Sequence, residues 1–303
     1  MSDATNAPIS IFIYNRKDKV TRLLNSLSKC DEFLESPVYV FSDGPKNEKE
    51  KVTVKETRDQ VNTLLGNKSH KIFIKHKKNI GLANSIYYGV NYVLNRHKKI
   101  IVLEDDLIVN SGFLKYMNSA LIKYEQNPQV FQVSGFFIDP IKLNLNEAIF
   151  LPNISTWGWG TWRKSWEGFN LDKNINLNTW TKKRKSKFNL NNSYNYFYIL
   201  KGTLKNKIDS WGILWYLYVF NRNGLILYPN KSLVKNIGFG RNATNTKRVQ
   251  DHNMNFSTKK IEIKLPEDLN INEGYSKNIY DYIKKVHKEP FYKKILKYFF
   301  IYK

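Results

Sequence analysis

Short apolar runs alternate with longer segments of helical apolar spacing through the first third of the chain. The apolar runs predict buried strands at residues 9–14, 38–41, 71–75 and 100–103. Between them, apolar residues recur at helical intervals within residues 20–27, 47–65 and 82–95. Strands that alternate with helices predict a parallel sheet with right-handed crossovers, so this part of the chain is expected to form an α/β layer.

The pattern is less regular beyond residue 110. We expect helices at residues 113–124, 196–204 and 211–220, and strands at 130–137 and 225–228. Three further segments carry other signals, namely a tryptophan-rich turn that opens a helix (155–166), an Asn- and Lys-rich mobile surface excursion (170–195) and a Gly- and Asn-rich loop (236–245). The second part of the chain is therefore expected to be mixed rather than regularly alternating.

The acidic tripeptide Glu104-Asp105-Asp106 follows directly after the apolar strand at 100–103. A continuous apolar run is typical of a strand buried on both faces, and open α/β sheets place ligands at the carboxyl ends of such strands. Carboxylate oxygens suit hard ions such as Mg²⁺ and Mn²⁺, which leave coordination positions open for diphosphate oxygens. The alternative is a helix-capping or solvated acidic turn.

Composition narrows the class of protein and of partner. With 42% hydrophobic and 15% aromatic residues, the 303-residue chain is expected to be globular rather than disordered. An excess of 49 basic over 26 acidic residues favours anionic partners, namely sugar nucleotides, an anionic membrane surface or nucleic acid. Cys30 is the only cysteine, which excludes an intrachain disulfide. We see neither a secretory signal nor a bilayer-spanning stretch, so a cytoplasmic protein is expected.

No Gly-x-Gly-x-x-Gly follows the first strand, which counts against an ordinary dinucleotide fold. Four other stretches occur in chain order: Pro8-Ile9-Ser10-Ile11-Phe12-Ile13-Tyr14-Asn15-Arg16, Phe41-Ser42-Asp43, Glu104-Asp105-Asp106-Leu107, and Asp209-Ser210-Trp211 with Gly238-Phe239-Gly240-Arg241. As an ordered set, which is more specific than any one motif, they resemble the GT-A glycosyltransferases of the N-acetylglucosaminyltransferase I type and their bacterial polysaccharide relatives. The resemblance implies a Rossmann-like nucleotide-sugar-binding sheet with helices on both faces and a mixed C-terminal acceptor part.

The chain is expected to have three parts, and the resemblance covers roughly residues 8–245 of it. Residues 1–110 would form the nucleotide-sugar-binding half of the domain, residues 111–255 its acceptor and catalytic half, and residues 256–303 a basic aromatic tail. Lysines and aromatic residues in that tail suit the headgroup region of an anionic membrane. The alternative is a terminal helix docked on its own domain.

The resemblance assigns contacts with the nucleotide base to Asn15 and Arg16 after the first strand and to Asp43 after the second. The chemistry agrees, because an aspartate accepts from a uracil N–H and a guanidinium donates to a carbonyl oxygen. The alternatives are a solvated residue at a helix start for Arg16 and a turn-forming residue for Asp43. Asn79 would border the nucleotide, with a Gly-containing turn into a helix as its alternative.

In the family that the chain resembles, the last acid of the triplet binds the metal. The resemblance therefore assigns this role to Asp106. Glu104 and Asp105 would then lie near the ribose and the water shell of the ion. Arg241 would meet a phosphate from a loop that closes over the donor, with a solvated loop arginine as the alternative.

Asp209 is the candidate general base, which would deprotonate the acceptor hydroxyl as it attacks the anomeric carbon. Its alternative is the N-cap of the helix that begins near Trp211. The family carries two adjacent acids before this tryptophan, whereas this chain has Asp209-Ser210. The indoles of Trp157, Trp159 and Trp162 can meet sugar rings, although core packing is expected for at least one of the three.

The expected function is that of a metal-dependent, inverting glycosyltransferase that uses Mn²⁺ or Mg²⁺ and a UDP-sugar donor. Its acceptor would be a glycan or a lipid-linked oligosaccharide in bacterial surface-polysaccharide assembly, such as lipopolysaccharide or capsule, with peripheral association at the inner face of the cytoplasmic membrane. No nucleic acid partner is expected. One alternative is a non-catalytic carbohydrate- or RNA-binding protein. Another is a sugar nucleotidylyltransferase, which is disfavoured because no Gly-rich triphosphate loop follows the first strand.

Overall fold

The computed structural model describes residues 6–66, 70–138, 145–238, 256–257, 259–271 and 273–286. The strands are β1 (Ile9–Ile13), β2 (Val38–Ser42), β3 (Lys71–Lys75), β4 (Lys99–Glu104), β5 (Leu107–Val109), β6 (Val130–Ser134), β7 (Ile149–Leu151), β8 (Trp159–Trp162), β9 (Leu225–Tyr228) and β10 (Val234–Asn236). The helices are α1 (Lys17–Leu27), α2 (Lys51–Leu65), α3 (Leu82–Leu94), α4 (Phe113–Lys123), α5 (Arg163–Trp166), α6 (Lys182–Phe188), α7 (Tyr196–Leu204), α8 (Trp211–Phe220) and α9 (Glu273–Val286).

One large sheet runs through the described residues in the strand order β3-β2-β1-β4-β8-β6-β9-β7. Its first four strands are parallel, with Ile9 of β1 aligned to Val38 of β2 and to Ile101 of β4. Every residue of β1 and β2 is buried, because helices cover both faces of the sheet. Apolar residues of α1 and α4 form the core on one face, and those of α3 and α8 form the core on the other. The predicted parallel layer with helices on both faces is confirmed.

The other half of the sheet is mixed, as expected for the C-terminal part. Strand β8 runs antiparallel between β4 and β6, β9 is parallel to β6, and β7 is antiparallel to β9. The prediction of a turn across 155–166 was wrong where it covered β8. Gly160 lies within this strand, where a Cβ would come 2.8 Å from the carbonyl oxygen of Ile100. The glycine marks a close backbone approach inside the sheet rather than a turn.

The segment at 170–195 lies largely at the surface, as expected, but a few apolar side chains anchor it to the domain. Helix α6 lies within it, Trp180 is 6% exposed and Phe188 is fully buried. The Trp180 and Phe188 rings pack edge to face with their centroids 5.3 Å apart. Lysine and asparagine dominate the composition of this segment, so its few buried aromatic residues gave no periodic signal.

The described part of residues 256–286 packs against the body of the domain. The backbone N–H of Ala148 donates to the carbonyl oxygen of Lys264 at 2.9 Å, and the Tyr124 hydroxyl donates to that of Pro266 at 2.6 Å. Ile279 of α9 is buried in the core beside α8. Residues 287–303, with most of the lysines and aromatic residues expected to bind a membrane, lie outside the described residues. No described helix has both the length and the apolar character needed to cross a bilayer.

Candidate active site

A cleft of about 950 Å³ opens where β1, β2 and β4 end, and residues at the start of α8 also line it. Residues that line it include Asn15, Arg16, Asp43, Asn79, Glu104, Asp105, Asp106 and Asp209. Arg241 lies outside the described residues, and the other site residues predicted from the sequence all line this one cleft. It lies at the carboxyl ends of parallel strands, where open α/β sheets bind their ligands.

The guanidinium of Arg16 joins two of the three acids. Its Nη1 donates to Oδ2 of Asp106 at 2.9 Å, its Nε donates to Oδ2 of Asp105 at 3.2 Å, and its Nη2 also binds Asp105. Asp105 is 1% exposed, whereas the Asp106 side chain is 14% exposed and faces the cleft. Arg16 is therefore an ion-paired residue of the cleft floor, not the solvated residue of the alternative interpretation.

The acidic triplet carries more negative charge than Arg16 neutralises. Burial raises the pKa of Asp105 to about 6, although Arg16 opposes the shift. Burial, reinforced by the charges of Asp106 and Asp105, raises the pKa of Glu104 to about 8. Both shifts mean that the folded chain resists full ionisation of the triplet, so a second cation at this position would relieve an electrostatic cost.

The surroundings of Asp106 fit a hard divalent cation. Its carboxylate reaches the cleft, and the N–H of Ile237 donates to its backbone carbonyl at 2.8 Å. A Cβ on Gly238 would lie 2.1 Å from Asp106 Oδ2, so only a glycine leaves room there. Within the described residues no group of three or more His, Cys, Asp or Glu is placed to hold a metal. An ion on Asp106 would therefore draw most of its oxygen ligands from a bound diphosphate and water, as Mg²⁺ and Mn²⁺ commonly do.

Backbone amides occupy both carboxylate oxygens of Asp43. Its Oδ1 accepts from the N–H of Gly44 at 2.8 Å and from that of Ile80 at 2.9 Å, and its Oδ2 accepts from that of Gly81 at 3.0 Å. The Asn79 amide donates to the carbonyl oxygen of Gly44 at 3.0 Å. Asp43 and Asn79 thus fix the turn before α3, which matches their turn-forming alternatives. Contact of either side chain with a nucleotide stays a prediction.

Sequence reasoning missed Tyr14, Lys46 and Glu50 as residues of the cleft wall. The Tyr14 hydroxyl donates to the Glu50 carboxylate, which also accepts from the N–H of Lys46 at 2.9 Å. Burial and this hydrogen bond raise the pKa of Tyr14 to about 12. The position of Tyr14 directly before Asn15 was an available signal. The turn that carries Lys46 and Glu50 back to the cleft has no pattern of its own.

Asp209 also lines the cleft, next to Ser210 and Trp211. Its exposed side chain forms no hydrogen bond with another described residue, and the N-cap position of α8 belongs to Ser210. The N-cap alternative for Asp209 is therefore not what the structure shows. Asp209 presents a carboxylate to the cleft without a structural role among the described residues.

The three tryptophans of the 157–162 segment divide between the cleft and the core. Trp159 and Trp162 are fully buried, as expected for at least one of them. Trp157 lines the cleft and packs on Phe136, with the ring centroids 4.5 Å apart. Trp211 also lines the cleft, and its ring centroid is 5.8 Å from that of Trp159. The cleft wall at the start of α8 is thus backed by the aromatic core.

Comparison with protein-family models and with curated protein sequences found no match. Among solved structures, the chain is similar to a mannosyltransferase, PcManGT from Pyrobaculum calidifontis in complex with GDP-Man and Mn²⁺, with 14% identity and a TM-score of 0.36 over 55% of this chain and 47% of that chain. It is also similar to GalNAc-T7 with UDP, GalNAc and Mn²⁺, with 12% identity and a TM-score of 0.45 over 76% of this chain and 43% of that chain. The chain thus spans less than half the length of either structure.

Proposed function

We propose that the chain is a metal-dependent, inverting glycosyltransferase that transfers a sugar from a nucleotide diphosphate, with a UDP-sugar as the expected donor. One observation carries the proposal: eight residues singled out in separate stretches of the sequence line a single cleft. A volume of about 950 Å³ is at the upper end of the range of small-molecule sites. It can hold a nucleoside diphosphate together with a sugar.

The floor of the cleft has the charge pattern that a bound diphosphate requires. Asp106 would hold the ion, and Arg16 stands beside it as a fixed cation tied to the buried Asp105. When bound, a divalent ion would neutralise charge on the leaving nucleoside diphosphate. Arg16 contributes by keeping the Asp106 carboxylate in place.

Asp209, just before α8, is the proposed group that activates the acceptor. The Asp209 carboxylate would accept the proton of an acceptor hydroxyl while the oxygen of that hydroxyl forms a bond to the anomeric carbon. The bond from that carbon to the diphosphate oxygen breaks on the other side, and the electron pair leaves with the nucleoside diphosphate. A single displacement of this kind inverts the configuration at the anomeric carbon. Trp157 and Trp211 also line the cleft, and their rings would pack on sugar rings.

The acceptor and the setting extend the proposal. A glycan or lipid-linked glycan in bacterial surface-polysaccharide assembly, reached from the inner face of the membrane, fits a chain with a formal charge of +23. Liposome co-sedimentation of the full chain and of a chain truncated after Glu289 tests this extension. Unchanged binding of the truncated chain to anionic vesicles would show that the tail does not provide membrane contact.

Thermal melting with a panel of nucleotide sugars, each with and without Mn²⁺, tests the core of the proposal. A ligand that binds only the native state stabilises it by about 2.7 kcal/mol at a concentration of 100 Kd. We expect one nucleotide sugar to raise the melting temperature only when the metal is present. Stabilisation by oligonucleotides alone, with no response to any nucleotide sugar, would support the RNA-binding alternative instead.

A further inference from the structure

Positive charge is concentrated in one part of the chain away from the cleft floor. Residues 163–235 contain 14 Lys or Arg and only three Asp or Glu, so they carry nearly half of the net charge of +23. The densest group consists of Lys182, Lys183, Arg184 and Lys187 on α6 and Arg222 just after α8. All five side chains are exposed, and together they are here termed the basic platform.

Neutral groups, not carboxylates, hold the platform in shape. Arg184 Nη2 donates to Oδ1 of Asn221 at 2.9 Å, and Lys187 Nζ donates to Oδ1 of Asn223 at 3.1 Å. The Arg184 guanidinium also lies 4.5 Å from the ring centroid of Trp180. These contacts position the cations without cancelling their charge, which is the arrangement expected of a surface that binds anions.

Some lysines elsewhere in the described chain are neutralised by carboxylates. Lys51, Lys55, Lys115, Lys123 and Lys260 each bind a carboxylate, at Nζ to oxygen distances of 2.7 Å or less. No platform residue takes part in an ion pair with another described residue. The positive charge of the platform is therefore not neutralised by any described carboxylate.

The local helix gives no reason for the cations at the start of α6. Lys182, Lys183 and Arg184 form its first turn, where the positive end of the helix dipole repels basic side chains. The helix is anchored instead by its N-cap Thr181, whose hydroxyl accepts from the N–H of Arg184 at 3.2 Å, and by the buried Phe188. The three charges therefore cost helix stability and require another explanation.

Helix α8 connects the platform to the cleft. Its first residue, Trp211, lines the cleft, and its last, Phe220, lies 5.9 Å from Lys187 Nζ at the platform. Ten residues of helix span about 15 Å, so the platform lies roughly that far along α8 from the cleft wall. A partner bound at the platform would leave the residues of the cleft floor uncovered.

We propose that the basic platform docks the protein on an anionic membrane surface. Exposed cations interleaved with half-buried aromatic rings are the combination that suits lipid headgroups, and Lys185 lies 5.1 Å from the ring centroid of the half-buried Phe197 next to the platform. The platform residues lie on α6 and just after α8 in the chain, and their charge does not depend on the activity proposed for the cleft.

Co-sedimentation of the full chain with vesicles tests this assignment. The platform variant carries Lys182→Gln, Lys183→Gln and Lys187→Gln, and the control carries Lys29→Gln, Lys77→Gln and Lys98→Gln, three exposed lysines elsewhere. Each basic residue near an anionic surface contributes a factor of about five in binding. On vesicles of phosphatidylglycerol and phosphatidylcholine, we expect the platform variant to bind about 100-fold more weakly than the wild type and the control to bind nearly as well as the wild type. None of the three proteins should bind vesicles of pure phosphatidylcholine.

Three results would overturn the assignment. Equal weakening in both variants would mean that net charge alone drives the binding. Wild-type binding by the platform variant would mean that the membrane contact lies elsewhere. Loss of oligonucleotide binding in the platform variant, with vesicle binding unchanged, would assign the surface to nucleic acid. Melting curves of both variants establish that each is folded, and no outcome depends on a nucleotide sugar.

Discussion

Arg16 Nη1 and Asp106 Oδ2 are joined by a hydrogen bond of 2.9 Å on the floor of the cleft. The same guanidinium also binds the buried carboxylate of Asp105. Arg16, predicted to contact the nucleotide base, and Asp106, predicted to bind the metal, are therefore direct hydrogen-bond partners. A metal ion at Asp106 would share that carboxylate with a fixed positive charge, which makes the site depend on a bound diphosphate for the rest of its ligands.

Asp106→Asn should abolish Mn²⁺-dependent UDP binding with little loss of stability. The change removes the charge that faces the cleft, while Arg16 keeps its partner Asp105. Calorimetric titration with UDP and Mn²⁺ measures the effect. Asp18→Asn, an exposed acid of the same cleft outside the triplet, is the control and should bind as the wild type does. Metal-dependent affinity that survives in Asp106→Asn would remove Asp106 from the metal site.

Arg16→Gln should destabilise the protein by about 2–3 kcal/mol at pH 8 and by less at pH 5. The variant leaves the Asp105 carboxyl buried without its cation, and a buried unpaired charge is costly. Protonation of Asp105 at low pH removes that charge, so the loss grows as the pH rises. Urea denaturation at the two pH values gives the difference. Arg22→Gln, on the exposed face of α1, is the control.

The double variant Arg16→Gln with Asp105→Asn makes the cause of this loss testable. Removing both partners should recover much of the stability lost at pH 8, because the buried Asp105 charge is gone and the Asp106 carboxylate, which also loses Arg16, reaches the cleft. Additive losses in the double variant would mean that Arg16 stabilises the fold through contacts other than the ion pair.

Gly238→Ala should weaken metal-dependent nucleotide binding at least tenfold. A Cβ at this position would lie 2.1 Å from Asp106 Oδ2, so the carboxylate or the chain after β10 must move. Gly212→Ala is the matched control in the same cleft, because its Cβ would be 3.4 Å from the Thr156 methyl group, an ordinary contact. Calorimetric titration of both variants with UDP and Mn²⁺ measures the difference in affinity. Equal affinity in the two would show that the geometry at Asp106 does not matter.

Much of the parallel layer could be predicted from the sequence because buried strands and amphipathic helices leave strong periodic signals. Helix bounds at α7 and α8 and strand bounds at β3 and β9 agree with the predicted ranges. Strand β8 could not be predicted, since Trp159, Gly160 and Trp162 suggest a turn when considered without their neighbours. Its place between β4 and β6 depends on pairing with residues distant in sequence.

Eight of the residues that line the cleft were predicted from the sequence, whereas their hydrogen-bond partners, and the lining residues Tyr14, Lys46 and Glu50, were not. Local sequence placed Arg16, Asp43 and Asp106 at strand ends, and the fold brings these ends together. The backbone N–H groups of Ile80 and Gly81 donate to the Asp43 carboxylate. These hydrogen bonds depend on how the turn before α3 packs against the end of β2, which the local sequence does not indicate. The contact between Gly238 and Asp106 likewise depends on the pairing of β5 with β10.

Glu104→Gln should raise the stability of the metal-free protein at alkaline pH. Burial and the neighbouring acids raise the pKa of Glu104 in the folded state to about 8, above its ordinary value near 4.5. The folded state then binds the proton more tightly than the unfolded state does. The wild type therefore loses stability as the pH rises from about 4.5 to about 8. The neutral amide has no such loss. Melting curves in EDTA should agree near pH 4 and differ by a few degrees at pH 9, and parallel pH profiles would contradict the shift.

Asp209→Asn should abolish sugar transfer and leave donor binding intact. The amide cannot accept the acceptor proton, and the exposed side chain forms no hydrogen bond with a described residue whose loss would unfold the protein. A fall in kcat of at least 100-fold, with an unchanged Kd for UDP in the presence of Mn²⁺, is the expected result. Ser210→Ala is the control, since the neighbouring hydroxyl forms no capping hydrogen bond. NMR of the wild-type product from an α-linked donor should show a β-glycoside. Retained activity in Asp209→Asn, or an α product, would remove Asp209 from the role of base.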